Sequence, residues 1–206
     1  MNYLAHLYLA GDDSESLIGG LMGDFVKGRV DPARPAAVRA GILLHRRVDS
    51  FTDQHPVVRR SKARIDPEFR RYAGILVDLF FDHFLACDWP AYSRQPLPQY
   101  ARRIYRILNR QLTSLPPRMQ HSVLYMVRND LLVSYREIDG IRRALSGIER
   151  RLSRPSQLAE AVAELEANYA SFREDFAEFF PELSHFARQQ RDTCTEETMS
   201  RQALND

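Results

Sequence analysis

The chain has 206 residues, a formal net charge of +2 and a cation content that is almost entirely arginine, with 27 Arg against two Lys. This length suits one domain with a sizeable core, and no apolar segment is long enough to cross a membrane. The two cysteines, Cys87 and Cys194, form no CxxC pattern and are typical of reduced thiols in a cytoplasmic protein rather than a disulfide framework. We expect neither a membrane nor a nucleic acid as partner.

Helical periodicity runs through nearly the whole chain, and no segment alternates in the manner of a strand. The pattern predicts an all-α fold, a single-domain helical bundle over residues 1–187, followed by a polar tail over 188–206 that we expect to be disordered. Proline, glycine and capping residues delimit eight predicted helices, which cover residues 3–10, 12–27, 36–52, 69–88, 99–114, 118–136, 138–150 and 156–180.

Three polar side chains, Asp78, Asp82 and His83, interrupt the otherwise apolar run of residues 75–86. An apolar surface on all sides of a helix indicates a buried helix, and carboxylates are almost never buried unless they are paired or bind a metal. Asp82 and His83 are therefore the preferred ligand pair, with Asp78 as a group that orients a ligand. The alternative for Asp78 is an ion pair with an arginine.

Other inward-facing candidates lie on three earlier helices. His45 and Asp49 are four residues apart, so they share one helix face inside the apolar arc, where they would bind an ion or simply bond each other. Asp24 lies beside three glycines that permit close approach of a backbone or a ligand. His6 lies among leucines near the N-terminus, where a lone histidine is more often a core residue.

Taken together, these residues would face inward from four successive helices, and metal sites in helical bundles are built from such facing side chains. The set comprises His6, Asp24, His45, Asp49, Asp82 and His83. Their oxygen and nitrogen donors suit Mn, Mg or Fe better than a metal that prefers thiolates. The sequence therefore predicts a divalent metal site.

Five segments resemble the acyl carrier protein phosphodiesterases, in the order and spacing of that family. They are MNYLAHLYLA, GDFVKG, GILLHRRVDSFTD, DLFFDHFLA and SYREIDGIRRAL, and the resemblance extends from residue 1 to about residue 181. One departure is Gly20, where the family pattern has Asn. The resemblance implies an all-helical relative of the HD-type metal-dependent phosphohydrolases.

The resemblance also implies the reaction, which is hydrolysis of the phosphodiester that links 4′-phosphopantetheine to a serine of acyl carrier protein, with a Mn-type ion as cofactor. The ion would activate a water and polarise a phosphoryl oxygen. On this reading Asp24, His45, Asp82 and His83 are the metal ligands. Catalytic roles fall to the remaining candidates, with His6 as general acid, Arg46 or its neighbour Arg47 as a clamp on the phosphoryl oxygens, and Asp49.

An acidic carrier protein would dock on a basic face, and two arginine-rich stretches at helical spacing are candidates. The first comprises Arg59, Arg60 and Arg64, and the second comprises Arg102, Arg103, Arg106 and Arg110. Two other functions stay open. One is an HD-like phosphohydrolase acting on nucleotides, and the other is a non-catalytic helical module that binds a carrier protein.

Overall fold

The computed structural model describes residues 1–152 and 156–203, and these ranges contain eleven α-helices and no strand. The helices are α1 (Tyr3–Leu9), α2 (Ser14–Met22), α3 (Ala36–Gln54), α4 (Pro56–Arg64), α5 (Ala73–Cys87), α6 (Leu97–Arg110), α7 (Pro117–Arg128), α8 (Leu131–Ser134), α9 (Ile138–Glu149), α10 (Val162–Ala167) and α11 (Tyr169–Ala203). The all-helical prediction is confirmed. Within the described residues, no helix combines the length and apolar character needed to span a membrane.

The apolar helix of the sequence, α5, lies at the centre of the molecule. Every residue from 79 to 86 is buried, as the absence of a polar face predicts. Helices α1, α4, α9 and α11 pack around it. The last of these contributes a row of fully buried aromatic rings at helical spacing, Phe172, Phe176, Phe179 and Phe180.

Helices α2 and α3 pack against each other through glycine. A Cβ at Gly19 would collide with the carbonyl oxygen of Val38, and one at Gly41 would lie 2.8 Å from the backbone nitrogen of Gly20. The two backbones therefore approach more closely than side chains would permit. This contact fixes the end of α2 against the middle of α3, where His45 lies.

The predicted helix over 12–27 ends earlier than its sequence pattern indicates. It begins after Asp13, whose carboxylate accepts the N–H of Ser16, and it ends at Met22. The N–H groups of Phe25 and Val26 then both bond to the Met22 carbonyl in a turn. Asp24 is therefore held by a turn at the end of α2 and not by a helix.

The C-terminal segment also differs from its prediction. The helix expected over 156–180 begins only at Val162 and is interrupted at Asn168, and α11 then continues through Pro181 to Ala203. Proline removes one backbone hydrogen bond, but Phe180 before it and Leu183 two residues after it are fully buried in the core and keep the helix continuous. The tail that we expected to be disordered is thus helical up to Ala203, and residues 204–206 lie outside the described part.

Helix α4 is absent from the sequence prediction, which treats Pro56 as a helix end. Proline is also favoured in the first turn of a helix, where its missing N–H would have no partner. The ring of His55 caps this new helix, and its Nδ1 accepts the N–H of Val57 at 3.3 Å.

Candidate metal centre

Two histidines and one carboxylate converge between α1 and α3. Asp49 places Oδ1 3.1 Å from Nε2 of His6 and Oδ2 3.1 Å from Nε2 of His45. The two imidazole rings are stacked, with centroids 3.8 Å apart and an angle of 19° between their planes. One donor atom from each of the three residues lies within 4.8 Å of the other two. The structure therefore unites three of the predicted site residues.

Asp24 adds a second carboxylate at the edge of this group, with Oδ1 3.5 Å from Nε2 of His45. The Asp24 and Asp49 side chains are 49% and 42% exposed, whereas both histidines are buried. The group is thus closed on its histidine side and open to solvent on its carboxylate side. A substrate would approach from the carboxylate side.

The orientation of His45 is set by the backbone of α2. Its Nδ1–H donates to the carbonyl oxygen of Gly20 at 2.7 Å, which leaves Nε2 as the atom that faces the carboxylates. Gly20 is the position that departs from the family pattern, but it acts here through a carbonyl oxygen that any residue offers. Gly23 provides room for the ring, because a Cβ there would collide with His45.

The orientation of His6 depends on how α1 begins. The carboxylate of Asp82 accepts the N–H of Leu4 at 2.7 Å and that of Ala5 at 3.2 Å, so a side chain of α5 binds donors that the first turn of α1 leaves unpaired. Asn2 accepts the N–H of Tyr3 in the same turn. Burial raises the pKa of Asp82 to about 7, although the N-terminal ammonium and the two N–H groups act in the opposite direction.

Asp82 therefore positions the helix that carries His6, and it does not join His6, His45 and Asp49. Asp78 also plays a supporting part, but its partner is not an arginine. It pairs with the N-terminal ammonium of Met1 at 3.1 Å, and this ammonium also lies 3.8 Å from Asp49.

His83 lies outside the group as well. Its Nδ1 donates to the carbonyl oxygen of Tyr135 at 2.8 Å, and its Nε2 lies 3.0 Å from the hydroxyl of Tyr169. Both ring nitrogens are thus occupied by partners 52 and 86 residues away in the chain. The doublet that suggested a ligand pair is instead two separately satisfied core residues.

The guanidinium of Arg46, predicted to clamp phosphoryl oxygens, is directed elsewhere. It donates to the carbonyl oxygens of Val26 and Gly28, each at 2.8 Å. These bonds hold the chain that follows the turn of Asp24. Arg46 therefore acts on the position of Asp24 and lies apart from the three converging residues.

The charges of the group are strongly coupled. Burial raises the pKa of Asp49, but hydrogen bonds from His45 and His6 outweigh burial and hold that pKa well below its usual range. Burial lowers the pKa of His45, yet Asp24 and Asp49 together raise it to about 9. Burial and the neighbouring His45 charge lower the pKa of His6. The two carboxylates thus favour the protonated form of His45, and a bound cation would compete with that proton.

The donor set fits a divalent cation. Two imidazole nitrogens and a carboxylate oxygen converge, and Asp24 can add a second carboxylate from the solvent side. A mixed set of imidazole and carboxylate suits Mn or Fe, and its carboxylates also suit Mg. His45 is oriented as metal-binding histidines are, with its second nitrogen donating to a carbonyl.

A cleft of about 900 Å³ begins at Asp24 and extends away from the three converging residues; we call it the site cleft. Its apolar wall is formed by Phe25, Leu131, Ala144 and Ile148. Its rim is basic and carries Lys27, Arg118, Arg150 and Arg151, all of them exposed. The cleft could not be predicted from the sequence, because its residues come from the α2–α3 loop, α7, α8, α9 and the chain after α9.

Comparison with known proteins gives a consistent result. The acyl carrier protein phosphodiesterase of Enterobacter sp. is 41% identical over 147 residues, which are 71% of this chain and 76% of that protein. The proteins of the same name from Serratia proteamaculans and Klebsiella pneumoniae are 37% and 35% identical, and each match covers 93% of this chain and 100% of the relative. No solved structure matches. The family profile described as acyl carrier protein phosphodiesterase matches residues 1–183, and the chain therefore belongs to the acyl carrier protein phosphodiesterase family.

Proposed function

We propose that this protein hydrolyses the phosphodiester between 4′-phosphopantetheine and a serine of acyl carrier protein, using a divalent ion. His6, His45 and Asp49 hold the ion, and Asp24 completes the ligand set. The convergence of these side chains beside an open cleft, in a chain of this family, is the observation that carries the proposal. Mn is the preferred ion, and Mg or Fe are alternatives.

The ion would lower the pKa of a water and polarise a phosphoryl oxygen. Water would attack phosphorus, the bond from phosphorus to the serine oxygen would break, and the serine oxygen would take up the proton that the water gives up. The products are apo-carrier and free 4′-phosphopantetheine. The buried histidines keep the closed side of the centre free of water, while Asp24 and Asp49 face the substrate.

His6 changes its proposed role from general acid to ligand. Its Nε2 lies 3.1 Å from Asp49 on the same side as Nε2 of His45, and burial favours its neutral form, which is the form that binds a metal. A His6→Ala protein should therefore lose both turnover and bound metal. Metal retained at full occupancy, with turnover lost, would restore the general-acid role.

The site cleft supplies a place for the pantetheine arm. Its volume of about 900 Å³ lies within the range of pockets for small organic ligands. It begins at Asp24, so an arm lying along its apolar wall would place the phosphate at the carboxylates. The basic rim would then meet the acidic surface of the carrier.

The two arginine stretches predicted for docking differ in how much of their charge is already paired. Arg60 and Arg64 of α4 are paired with the buried Asp175 of α11, so that stretch offers little free charge. Arg102, Arg106 and Arg110 of α6 are exposed, while Arg103 pairs with Asp12 at 2.8 Å. The rim of the site cleft is the better candidate because it adjoins Asp24.

The reaction is tested by mass spectrometry of holo-acyl carrier protein incubated with the enzyme and Mn. We expect the carrier to lose the mass of intact phosphopantetheine, and Asp49→Asn to abolish this loss. An unchanged carrier, together with hydrolysis of nucleotides, would favour the nucleotide phosphohydrolase. An unchanged carrier that binds the protein without turnover would favour the non-catalytic module.

Docking is tested with two double charge reversals, Arg118→Glu with Arg150→Glu on the rim and Arg102→Glu with Arg106→Glu on α6. We expect only the rim variant to raise KM for holo-carrier, with kcat preserved and the salt dependence of kcat/KM reduced. A raised KM for the α6 variant alone would move the docking surface to α6.

The proposal also includes a fold relationship and a cellular location. A distant relation to the HD-type phosphohydrolases would be tested by superposing an experimental structure of the Mn-loaded protein on members of that group. A cytoplasmic location fits the free thiol of Cys87 and would be tested by cell fractionation.

A further inference from the structure

A second cleft, of about 410 Å³, opens beside the loop that joins α1 to α2. We call it the arginine cleft, because four arginines line it: Arg94, Arg103, Arg188 and Arg191. The remaining wall includes Tyr8, Tyr92, Tyr100 and Ser184. None of these residues belongs to the proposed metal centre or to the site cleft.

Unsatisfied polar atoms concentrate in this cleft. Within the described residues, five buried side-chain nitrogen or oxygen atoms have no hydrogen-bond partner, and three of them belong to residues that line the arginine cleft. They are the hydroxyl of Tyr100, Nε of Arg103 and the hydroxyl of Ser184. Buried polar groups normally find a partner, and all three of these groups can donate a hydrogen bond. The walls of the cleft therefore contain three donors that lack an acceptor.

The charge of the cleft also favours a ligand with acceptor oxygens, because most of its charged residues are cations. Among the described residues that line it, the only acidic one is Asp12, which pairs with Arg103 and is 94% exposed. Arg94 and Arg188 are exposed and form no ion pair with any described residue. Arg191 is anchored by a bond from its Nη1 to the Leu9 carbonyl at 2.9 Å. Among the described lining residues there are thus four cations and one anion.

Tyr100 gives the cleft a rigid floor. The residue is 5% exposed, its ring packs 4.8 Å from that of Trp89, and the guanidinium of Arg103 lies 5.3 Å from the ring centroid. Its hydroxyl is thus fixed in position without having a partner. A ligand that accepts this bond would bind to a preformed site at little cost in conformational entropy.

We propose that the arginine cleft binds a small molecule bearing a phosphate or diphosphate group. Such a group offers several acceptor oxygens and more than one negative charge, which matches the three unpaired donors and the four arginines. A volume of about 410 Å³ exceeds that of the phosphate group alone and leaves space for an organic portion beside Tyr8 and Tyr92. This proposal stands whether or not the protein cleaves holo-carrier.

The site is placed to influence the metal centre. Leu9 and Gly11 of the cleft wall follow His6 by three and five residues on the same segment of chain. A ligand that bridges the α1–α2 loop to Arg188 of α11 would therefore tie the C-terminal end of α1 to α11. This end lies about one helical turn from His6.

Isothermal titration calorimetry of the full chain with pyrophosphate tests the proposal. We expect the double variant Arg94→Glu with Arg188→Glu to weaken binding at least about tenfold, the loss typical of a charge-assisted hydrogen bond. The matched control, Arg70→Glu with Arg128→Glu, makes the same change of net charge at exposed positions outside both clefts and should bind as the parent does. Tyr100→Phe removes only the unpaired hydroxyl and should weaken binding several-fold without affecting the fold.

The metal centre is the main competing site for pyrophosphate, so the titration is repeated on Asp49→Asn. Binding that persists in Asp49→Asn and is lost in the double variant supports the arginine cleft. Binding that disappears with Asp49→Asn, or that falls equally in the control variant, would overturn the proposal, as would no binding at all. Parallel titrations with inorganic phosphate and with 4′-phosphopantetheine distinguish a free anion from a phosphorylated small molecule.

Discussion

Gly23→Ala is a one-carbon change that should disable the proposed metal centre without altering any ligand. Gly23 has φ −51° and ψ −38°, which alanine adopts freely, so the backbone is not strained by the change. The added Cβ would instead fall on Cγ, Cδ2 and Cβ of His45. The imidazole must move, and its bond to the Gly20 carbonyl is the contact that it would lose.

The cost can be worked out from these two contacts. Overpacking a filled core costs about 1–3 kcal/mol, and leaving a buried hydrogen-bonding group without its partner costs about 1–3 kcal/mol. The imidazole relieves the collision with the new Cβ by giving up its hydrogen bond to Gly20. Because one movement causes both losses, the two costs do not add fully. We expect the free energy of unfolding of the metal-free protein to fall by about 2–4 kcal/mol.

Metal binding should weaken in the same variant. Loss of the bond that orients a ligating histidine typically reduces metal affinity about 10- to 100-fold. The assays are chemical unfolding of metal-free protein and titration with Mn. Gly74→Ala in α5 is the control, because a Cβ there meets only the end of Lys62 at 3.7 Å; it should leave Mn affinity unchanged and stabilise slightly, since alanine is favoured over glycine in helices.

A double-mutant cycle with His45→Ala isolates the collision. Without the imidazole, the methyl group added by Gly23→Ala would occupy vacant space, so this substitution should cost almost nothing in the His45→Ala background. An equal loss of stability in both backgrounds, or an unchanged Mn affinity in Gly23→Ala, would refute the reasoning that Gly23 acts through His45.

Three further outcomes follow from the structure. Excess Mn should raise the free energy of unfolding by about 2.7 kcal/mol at one hundred times its Kd, and this gain should vanish after chelation or in Asp49→Asn, as measured by thermal denaturation. Asp175→Ala should destabilise by about 2 kcal/mol in chemical unfolding, because the buried Ser61 hydroxyl and Arg64 lose their acceptor, whereas Glu178→Gln on the exposed side of the same cluster should have little effect. Burial lowers the pKa of His83 below its ordinary value of 6.5, so below pH 6.5 the unfolded chain binds more protons than the folded one and the free energy of unfolding falls as pH falls. His83→Gln should reduce this slope by up to about 1.4 kcal/mol per pH unit. Equal slopes in the two proteins would show that His83 does not cause the pH dependence.

The parts of the site that could be predicted from the sequence are those set by local periodicity. The four-residue spacing of His45 and Asp49 on a helix brings their side chains together, and the structure has them 3.1 Å apart. The largely apolar run of residues 75–86, which has no polar face, likewise predicts a buried helix. Both conclusions depend on neighbours within one or two turns, which the sequence displays directly.

The partners of Asp82 and His83 could not be predicted in this way. Buried polar groups do need partners, but backbone groups meet that need as well as a metal does. Asp82 bonds to residues 78 and 77 positions away, and His83 bonds to Tyr135. The sequence gives no sign of which distant backbone will arrive at a buried carboxylate, so a ligand and a helix-capping residue look alike there.

The role of Asp82 has a consequence for the order in which the protein folds during its synthesis. Helix α1 has seven residues and is too short to persist alone, so His6 is fixed only after Asp82 has left the ribosome. At about 5–20 residues per second, this requires roughly 4–15 s after His6 itself emerges. Arg47 of α3 later bonds to Gln190, 143 residues further along. A nascent chain therefore exposes its candidate ligands well before Asp82 can fix His6 among them.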